Sequence, residues 1–263
     1  MPDLDRVSDR PVAPLVEVFH SIQGEGRFVG TPMAFVRVAV CPLRCNYCDT
    51  PHSYEAEREF PVHLRRGPRY EPNPVDVERA TALVREVLAG GAFATGGGGG
   101  RVSVTGGEPL LYPVFVRELG LRLRGHGVAL HLESAAVQPA ALCVALPGVS
   151  HLSADYKLPE TVTAGEFGAR HARCVADALA AGISVDVKVV LTAAVQDASF
   201  AGALADLAPF RAQILLVLQP VTPFGAVQEP FPVSRLEECT ARALAAGFTV
   251  RVLPQAHKLL RVQ

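Results

Sequence analysis

The sequence has no surplus of either charge. Lysine and arginine number 25 against 26 acidic residues, a formal net charge of −1, so it lacks the positive field that drives non-specific nucleic-acid binding, and a small molecule is the expected partner. It also has no long hydrophobic run. Stretches such as 34–40 and 185–191 fall far short of the ~20 residues a membrane-spanning helix needs, and residues 1–10 are charged, not apolar. A cytoplasmic protein is expected. Cysteine is scarce, six in 263 residues, too few for a disulfide scaffold. No solenoid-type repeat is visible, and the glycine run 96–100 is not followed by the Gly-Lys-Ser/Thr of a phosphate-binding loop, so it reads as a flexible linker.

What is present is a chain long enough for one large α/β domain, 1–263, with an N-terminal tail at 1–13. Short β-branched runs at 34–40, 101–105, 128–133, 149–153, 183–191, 213–219 and 249–253 alternate with stretches of helical period at 75–89, 111–124, 169–181, 200–208 and 234–246. That alternation predicts a parallel sheet covered by crossover helices. Asn73 before Pro74 predicts the cap of the first helix, and Gly182 and Gly247 stand where helices end. The segment 51–73, rich in arginine and proline, is expected to be a cap-like or, in preference, a solvated insertion.

Three of the cysteines crowd into Cys41-Pro-Leu-Arg-Cys45-Asn-Tyr-Cys48. Three thiolates can hold three irons of a cubane cluster and leave the fourth open, whereas structural zinc needs four ligands, with His52 the nearest extra candidate. Cys143, Cys174 and Cys239 read as small buried hydrophobes. A second segment, Thr105-Gly106-Gly107-Glu108-Pro109, follows a strand. Its glycines permit close backbone approach to a ligand, and Glu108 could meet an ammonium.

The cysteine spacing, with an aromatic before the last thiol, resembles the radical S-adenosylmethionine superfamily, and the Gly-Gly-Glu-Pro segment resembles that family's methionine-binding stretch. The resemblance implies an incomplete parallel (β/α) barrel, a [4Fe–4S] cluster on Cys41, Cys45 and Cys48, and S-adenosylmethionine on the open iron. Residues at both ends narrow it: Glu17 through Gln23-Gly-Glu-Gly26, Phe35-Val-Arg37, Asp49-Thr50, Gln219-Pro220 and Pro254-Gln-Ala-His-Lys258 resemble the 7-carboxy-7-deazaguanine synthases. These convert 6-carboxy-5,6,7,8-tetrahydropterin to 7-carboxy-7-deazaguanine with loss of ammonia, in queuosine-type deazapurine synthesis, and use S-adenosylmethionine catalytically.

Carried over by resemblance, Ile22, Gln23, Gly24, Glu25, Arg37, Thr105 and His257 would hold the substrate and Thr50 a Mg2+ ion. Tyr47, Gly106, Gly107, Glu108, Glu133, Ser153, Lys157 and Gln219 would contact S-adenosylmethionine. No catalytic side chain beyond cluster and cofactor is expected. The family's Glu-Thr-Asn-Gly is here Glu133-Ser-Ala-Ala, and its compact Ser-Pro-Lys is stretched to Ser153-Ala-Asp-Tyr-Lys157. Lys188 reads either as a pocket group or as a lysine reaching to solvent. The resemblance further implies a homodimer and an electron donor such as flavodoxin or ferredoxin. Two rival readings share part of the pattern: a glycyl-radical activase, and a non-catalytic zinc or iron–sulfur module.

Overall fold

The computed structural model describes residues 7–90, 100–163 and 165–262. The chain enters through strands β1 (Val12–Ala13), β2 (Leu15–Ile22), β3 (Pro32–Val38), β4 (Glu59–Leu64), β5 (Gly67–Pro72) and β6 (Val75–Asp76), the last leading into helix α1 (Val77–Gly90). A regular alternation follows: β7 (Gly100–Gly106), α2 (Pro113–Arg124), β8 (Val128–Ser134), α3 (Pro139–Ala145), β9 (His151–Tyr156), α4 (Gly168–Ala180), β10 (Ser184–Leu191), α5 (Asp197–Leu207), β11 (Leu215–Pro220), α6 (Val233–Ala245), β12 (Thr249–Val252) and α7 (Ala256–Leu260). Of the expected glycine linker, 96–99 lie outside the described residues, and Gly100 opens β7.

Ten strands form one sheet in the order β12-β11-β10-β9-β8-β7-β3-β2-β4-β5. The seven from β3 to β12 are parallel. Their spatial order follows the sequence without reversal, so each crossover adds a strand on the same side and helices α1 to α5 pack as successive neighbours. This is the winding of a (β/α) barrel. It stays open, with β12 and β5 as its two edges. No helix among the described residues is long and apolar enough to cross a membrane.

Side-chain alternation explains the two faces. Val102, Val104, Leu130, Leu132, Leu152, Ala154, Val185, Val187 and Val189 join the core shared with the helices. Their neighbours one residue away are Ser103, Thr105, His131, Glu133, His151, Ser153, Asp155, Asp186 and Lys188, so the concave face is polar. An ordinary barrel fills that face with branched aliphatics. Here it carries the site above and a hydrogen-bonded floor beneath.

Three local expectations change. Asn73 is not the helix cap: its side chain bonds both backbone groups of Leu15, at 2.8 and 2.7 Å, and Asp76 Oδ1 accepts from Arg79 N at 2.8 Å in its place. Cys174 and Cys239 are buried, but Cys143 is exposed, its thiol turned to Asp177 at 3.6 Å. Segment 51–73, expected as a solvated insertion, contains the β4–β5 hairpin on the sheet edge, where Phe60 and Val62 are buried. Gly182 and Gly247 have φ of +73° and +85° at their helix ends, as the sequence suggests.

Helix α2 runs close to the 146–148 turn. A Cβ on Gly120 would strike the Gly148 carbonyl group, and one on Gly148 would lie 2.7 Å from Arg117 Cα. Gly120→Ala is therefore expected to lower stability by about 1–3 kcal/mol despite alanine's better helix propensity. An unchanged denaturation midpoint would contradict this contact.

Candidate active site

The polar face opens at the strand C-termini into a cavity of about 220 Å3. All the residues carried over by resemblance line it: the three cysteines, Thr50, the seven for substrate and the eight for cofactor. His52 does not, and its side chain is exposed.

The cysteine loop leaves β3 through Val40, whose φ is +71°. Backbone bonds fix its root: Ala39 N to Pro14 O (2.9 Å), Val40 N to Ser53 O (2.7 Å) and Glu108 N to Val40 O (2.8 Å). Its far side is pinned by a Cys45–Val162 bridge and by Asn46 N to Thr161 O at 3.0 Å. Leu43, Ala135, Val137 and Phe167 form an apolar flank against Cys41 and Cys45. Burial pushes the Cys41 thiol up to about 12 and also raises Cys45, so both need a cation beside them to ionise. Among the described residues no three His, Cys, Asp or Glu side chains gather as ligands of one ion.

Gly106 and Gly107 make a close approach, but to the chain itself. A Cβ on Gly107 would lie 2.8 Å from Val38 O and closer still to Val40 O. Gly107→Ala is expected to displace the root of the cysteine loop and reduce reconstituted iron by roughly half or more, since backbone atoms cannot yield as side chains do. Gly202→Ala, with nothing within 4 Å, should leave iron unchanged. Glu108 also faces inward to protein: it accepts from Leu110 N (2.9 Å), Ser134 Oγ (2.6 Å) and Ala135 N (2.9 Å). Three of a carboxylate's four or so acceptor sites are thus taken, leaving little room for the ammonium expected from sequence. Burial raises its carboxyl despite those bonds.

Glu133, expected on the cofactor side, joins two residues expected on the substrate side, Gln23 and Thr105. It accepts from Gln23 Nε2 at 2.5 Å, Ser103 Oγ at 2.8 Å and Thr105 Oγ1 at 3.1 Å. Ser153 donates to Asp186 at 2.9 Å, beneath the cavity. Arg37 is paired through Nε with Glu17 at 2.8 Å and lies over Phe19. The two chain ends meet: Ala256 N bonds Gly24 O at 2.9 Å, and the His257 ring fills the space a Cβ on Gly24 would need.

Sequence reasoning missed a charged circuit around the mouth. Lys157 bonds Tyr47 Oη (2.9 Å) and Asp155 Oδ2 (2.8 Å). Asp155 Oδ2 also meets Lys188 (3.3 Å), which pairs with Glu25. Glu25 accepts from Gln219 (3.2 Å) and Gln255 (2.8 Å), and Gln255 reaches Asp49 (3.1 Å), which Lys258 holds at 2.8 Å. The circuit starts and ends on the cysteine loop. Burial would raise the Glu25 and Asp155 carboxyls, but the lysines outweigh it and hold both below their ordinary values. Asp155 Oδ1 and Gln219 Oε1 are buried without a protein donor. Two such acceptors on a cavity wall ask for a ligand with N–H or O–H groups.

The fold is that of radical S-adenosylmethionine enzymes. A radical SAM methyltransferase from Sphaerobacter thermophilus matches 96% of this chain and 80% of its own with a TM-score of 0.51 at 18% identity, and QueE from Escherichia coli matches 94% and 96% with a TM-score of 0.62 at 20% identity. No family model matches the chain. Full-length sequence relatives are more specific. The 7-carboxy-7-deazaguanine synthase of Geobacter sulfurreducens is 33% identical over 258 residues, covering 95% of this chain and 98% of the relative, and that of Methanopyrus kandleri is 36% identical over 251 residues, covering 93% and 92%. The chain belongs to the 7-carboxy-7-deazaguanine synthase family. Membership sets aside the glycyl-radical activase and the non-catalytic metal module.

Proposed function

We propose that this chain converts 6-carboxy-5,6,7,8-tetrahydropterin to 7-carboxy-7-deazaguanine with loss of ammonia, as a radical S-adenosylmethionine lyase. The observation that carries the reading is the meeting of the Gln23–Glu25 turn and the His257 segment in one cavity with the cysteine loop. The donor set fits the cofactors. Cys41, Cys45 and Cys48 would hold three irons of a [4Fe–4S] cluster, whose fourth iron would take S-adenosylmethionine. When bound, this pair supplies an adenosyl radical able to take hydrogen from an unreactive C–H bond.

The chain's own residues bind and orient. Gln23 and the anionic Glu25 would accept from the N–H edge of the pterin, and the remaining guanidinium nitrogens of Arg37 would face its carboxylate. Thr50 Oγ1, 3.9 Å from Cys48 Sγ, is a hydroxyl of the kind Mg2+ accepts beside a substrate oxygen. Tyr47, Gly106, Gly107, Glu108, Ser153, Lys157 and Gln219 would line the cofactor side. The apolar flank of Leu43, Val137 and Phe167 would keep water from the radical. A cytoplasmic homodimer served by flavodoxin or ferredoxin fits this reading.

Anaerobically reconstituted protein, given reductant, S-adenosylmethionine, Mg2+ and the pterin, should form the deazapurine. Cleavage of S-adenosylmethionine without that product would sink the substrate assignment.

A further inference from the structure

Directly after Glu25 the chain drops beneath the cavity. Gly26 has a φ of +65° and sits over Asp186: a methyl group there would lie 3.0 Å from Asp186 Oδ2 and 3.3 Å from Ser153 Oγ. Asp186 is fully buried, accepting from Ser153 Oγ at 2.9 Å through Oδ2 and meeting His151 Nε2 at 2.5 Å through Oδ1. Ser184 Oγ fixes the other ring nitrogen of His151 at 3.0 Å. Phe28 sets its ring edge-on to His151 and His131, with centroids 4.8 and 5.4 Å apart, and the Arg101 guanidinium covers Phe28 at 4.0 Å.

Asp186 and His151 do not line the cavity. Aliphatic side chains would fill their place in a barrel interior without the cost of burying a carboxylate. Directional bonds fix what apolar packing leaves free to slide, namely the height and rotation of whatever rests on them. The segment resting here is the continuation of Gln23-Gly24-Glu25. Above, Glu133 holds Gln23, and Lys188, Gln219 and Gln255 hold Glu25. Below, the heavy atoms nearest the Gly26 Cβ position belong to Asp186 and Ser153.

We propose that Asp186 and His151 are positioning residues, forming a seat under Gly26 that sets the height at which Gln23 and Glu25 meet the substrate. They touch neither substrate nor cofactor. Misplacement by about 1 Å is enough to cost up to a hundredfold in rate, so the seat acts through the turn it carries. The inference rests on the reading that this turn binds the pterin.

Asp186→Asn keeps the shape but turns an N–H toward a group that now donates. Gly26→Ala pushes on the same seat from above and is the milder change. Both are expected to weaken equilibrium binding of 6-carboxytetrahydropterin to the reconstituted protein by about tenfold or more, raising KM more than they lower kcat. Iron content should stay at the wild-type value, and S-adenosylmethionine affinity, exposed to the change only through the Ser153 bond to Asp186, should fall by less than pterin affinity. Pterin binding within about twofold of wild type in both variants would overturn the seat. So would a parallel fall of pterin affinity, cofactor affinity and iron, which marks general loosening. If wild-type protein itself fails to bind the pterin, the functional reading fails and not the seat.

Discussion

Cys45→Ala is expected to remove the iron and the activity together. The variant takes one of three thiolates from a loop that has no fourth cysteine, so two irons in place of one would lack a protein ligand. Iron, about four per reconstituted wild-type chain, should fall to background with labile sulfide, and product formation with it. The fold should survive, because Cys45 lies beside the apolar group of Leu43, Ala135, Val137 and Phe167 and the loop is held by backbone bonds on either side. Cys174→Ala is the matching control. That residue is fully buried in α4 within the main core, so its loss should cost about 1 kcal/mol of packing and no iron. Iron retained at wild-type level in Cys45→Ala, or lost equally in both variants, would remove the loop's claim to the cluster.

The cysteine loop was legible because its chemistry is local: three thiols within eight positions say metal whatever the fold. The seven parallel strands were legible too, since all but the largely exposed β12 bury aliphatics. Strand ends were less so. The run 34–40 stops pairing at Val38, and the chain turns away at Val40 to root the loop. Strands β2, β4 and β5 escaped notice because Glu17, His20, His63, Arg69 and Glu71 interrupt them with polar side chains. Glu71, though largely buried, is matched by Arg69 and Arg79, partners that no local pattern shows.

The charged circuit illustrates the same limit. Lys188 is 163 residues from Glu25, and Gln255 is 206 from Asp49, so only the fold pairs them. A usable signal was nevertheless present in Val-Asp-Val-Lys and Leu-Ser-Ala-Asp. Polar residues alternating with aliphatics in strands that must be covered on both faces mark a polar interior. Glu108 shows the converse: its motif was plain, yet most of its acceptor capacity goes to Leu110, Ser134 and Ala135.

Lys188→Met should be the most damaging single change outside the cluster. It leaves Glu25 and Asp155 facing each other across the mouth without the cation between them, and breaking one partner of a buried pair costs roughly 3–5 kcal/mol. In the wild type the carboxyls of Glu25, Asp155 and Asp49 all lie below their ordinary values. Groups depressed in this way stabilise the fold above the unfolded-state value of about 4 and lose that contribution as pH falls through the folded one. Without Lys188 the burial that wild type overcomes prevails at Glu25, whose carboxyl rises and whose ionisation at neutral pH opposes folding, while Lys157 still holds Asp155 and Lys258 still holds Asp49. The stability gap between wild type and variant should therefore be widest near pH 7 and narrow toward pH 4, where protonation relieves the variant and erodes the wild type. Adding Glu25→Gln should recover part of the gap at pH 7 by removing the anion that Lys188 had paired. Denaturant midpoints measured across this range decide the matter: a gap independent of pH would mean that Lys188 contributes packing alone.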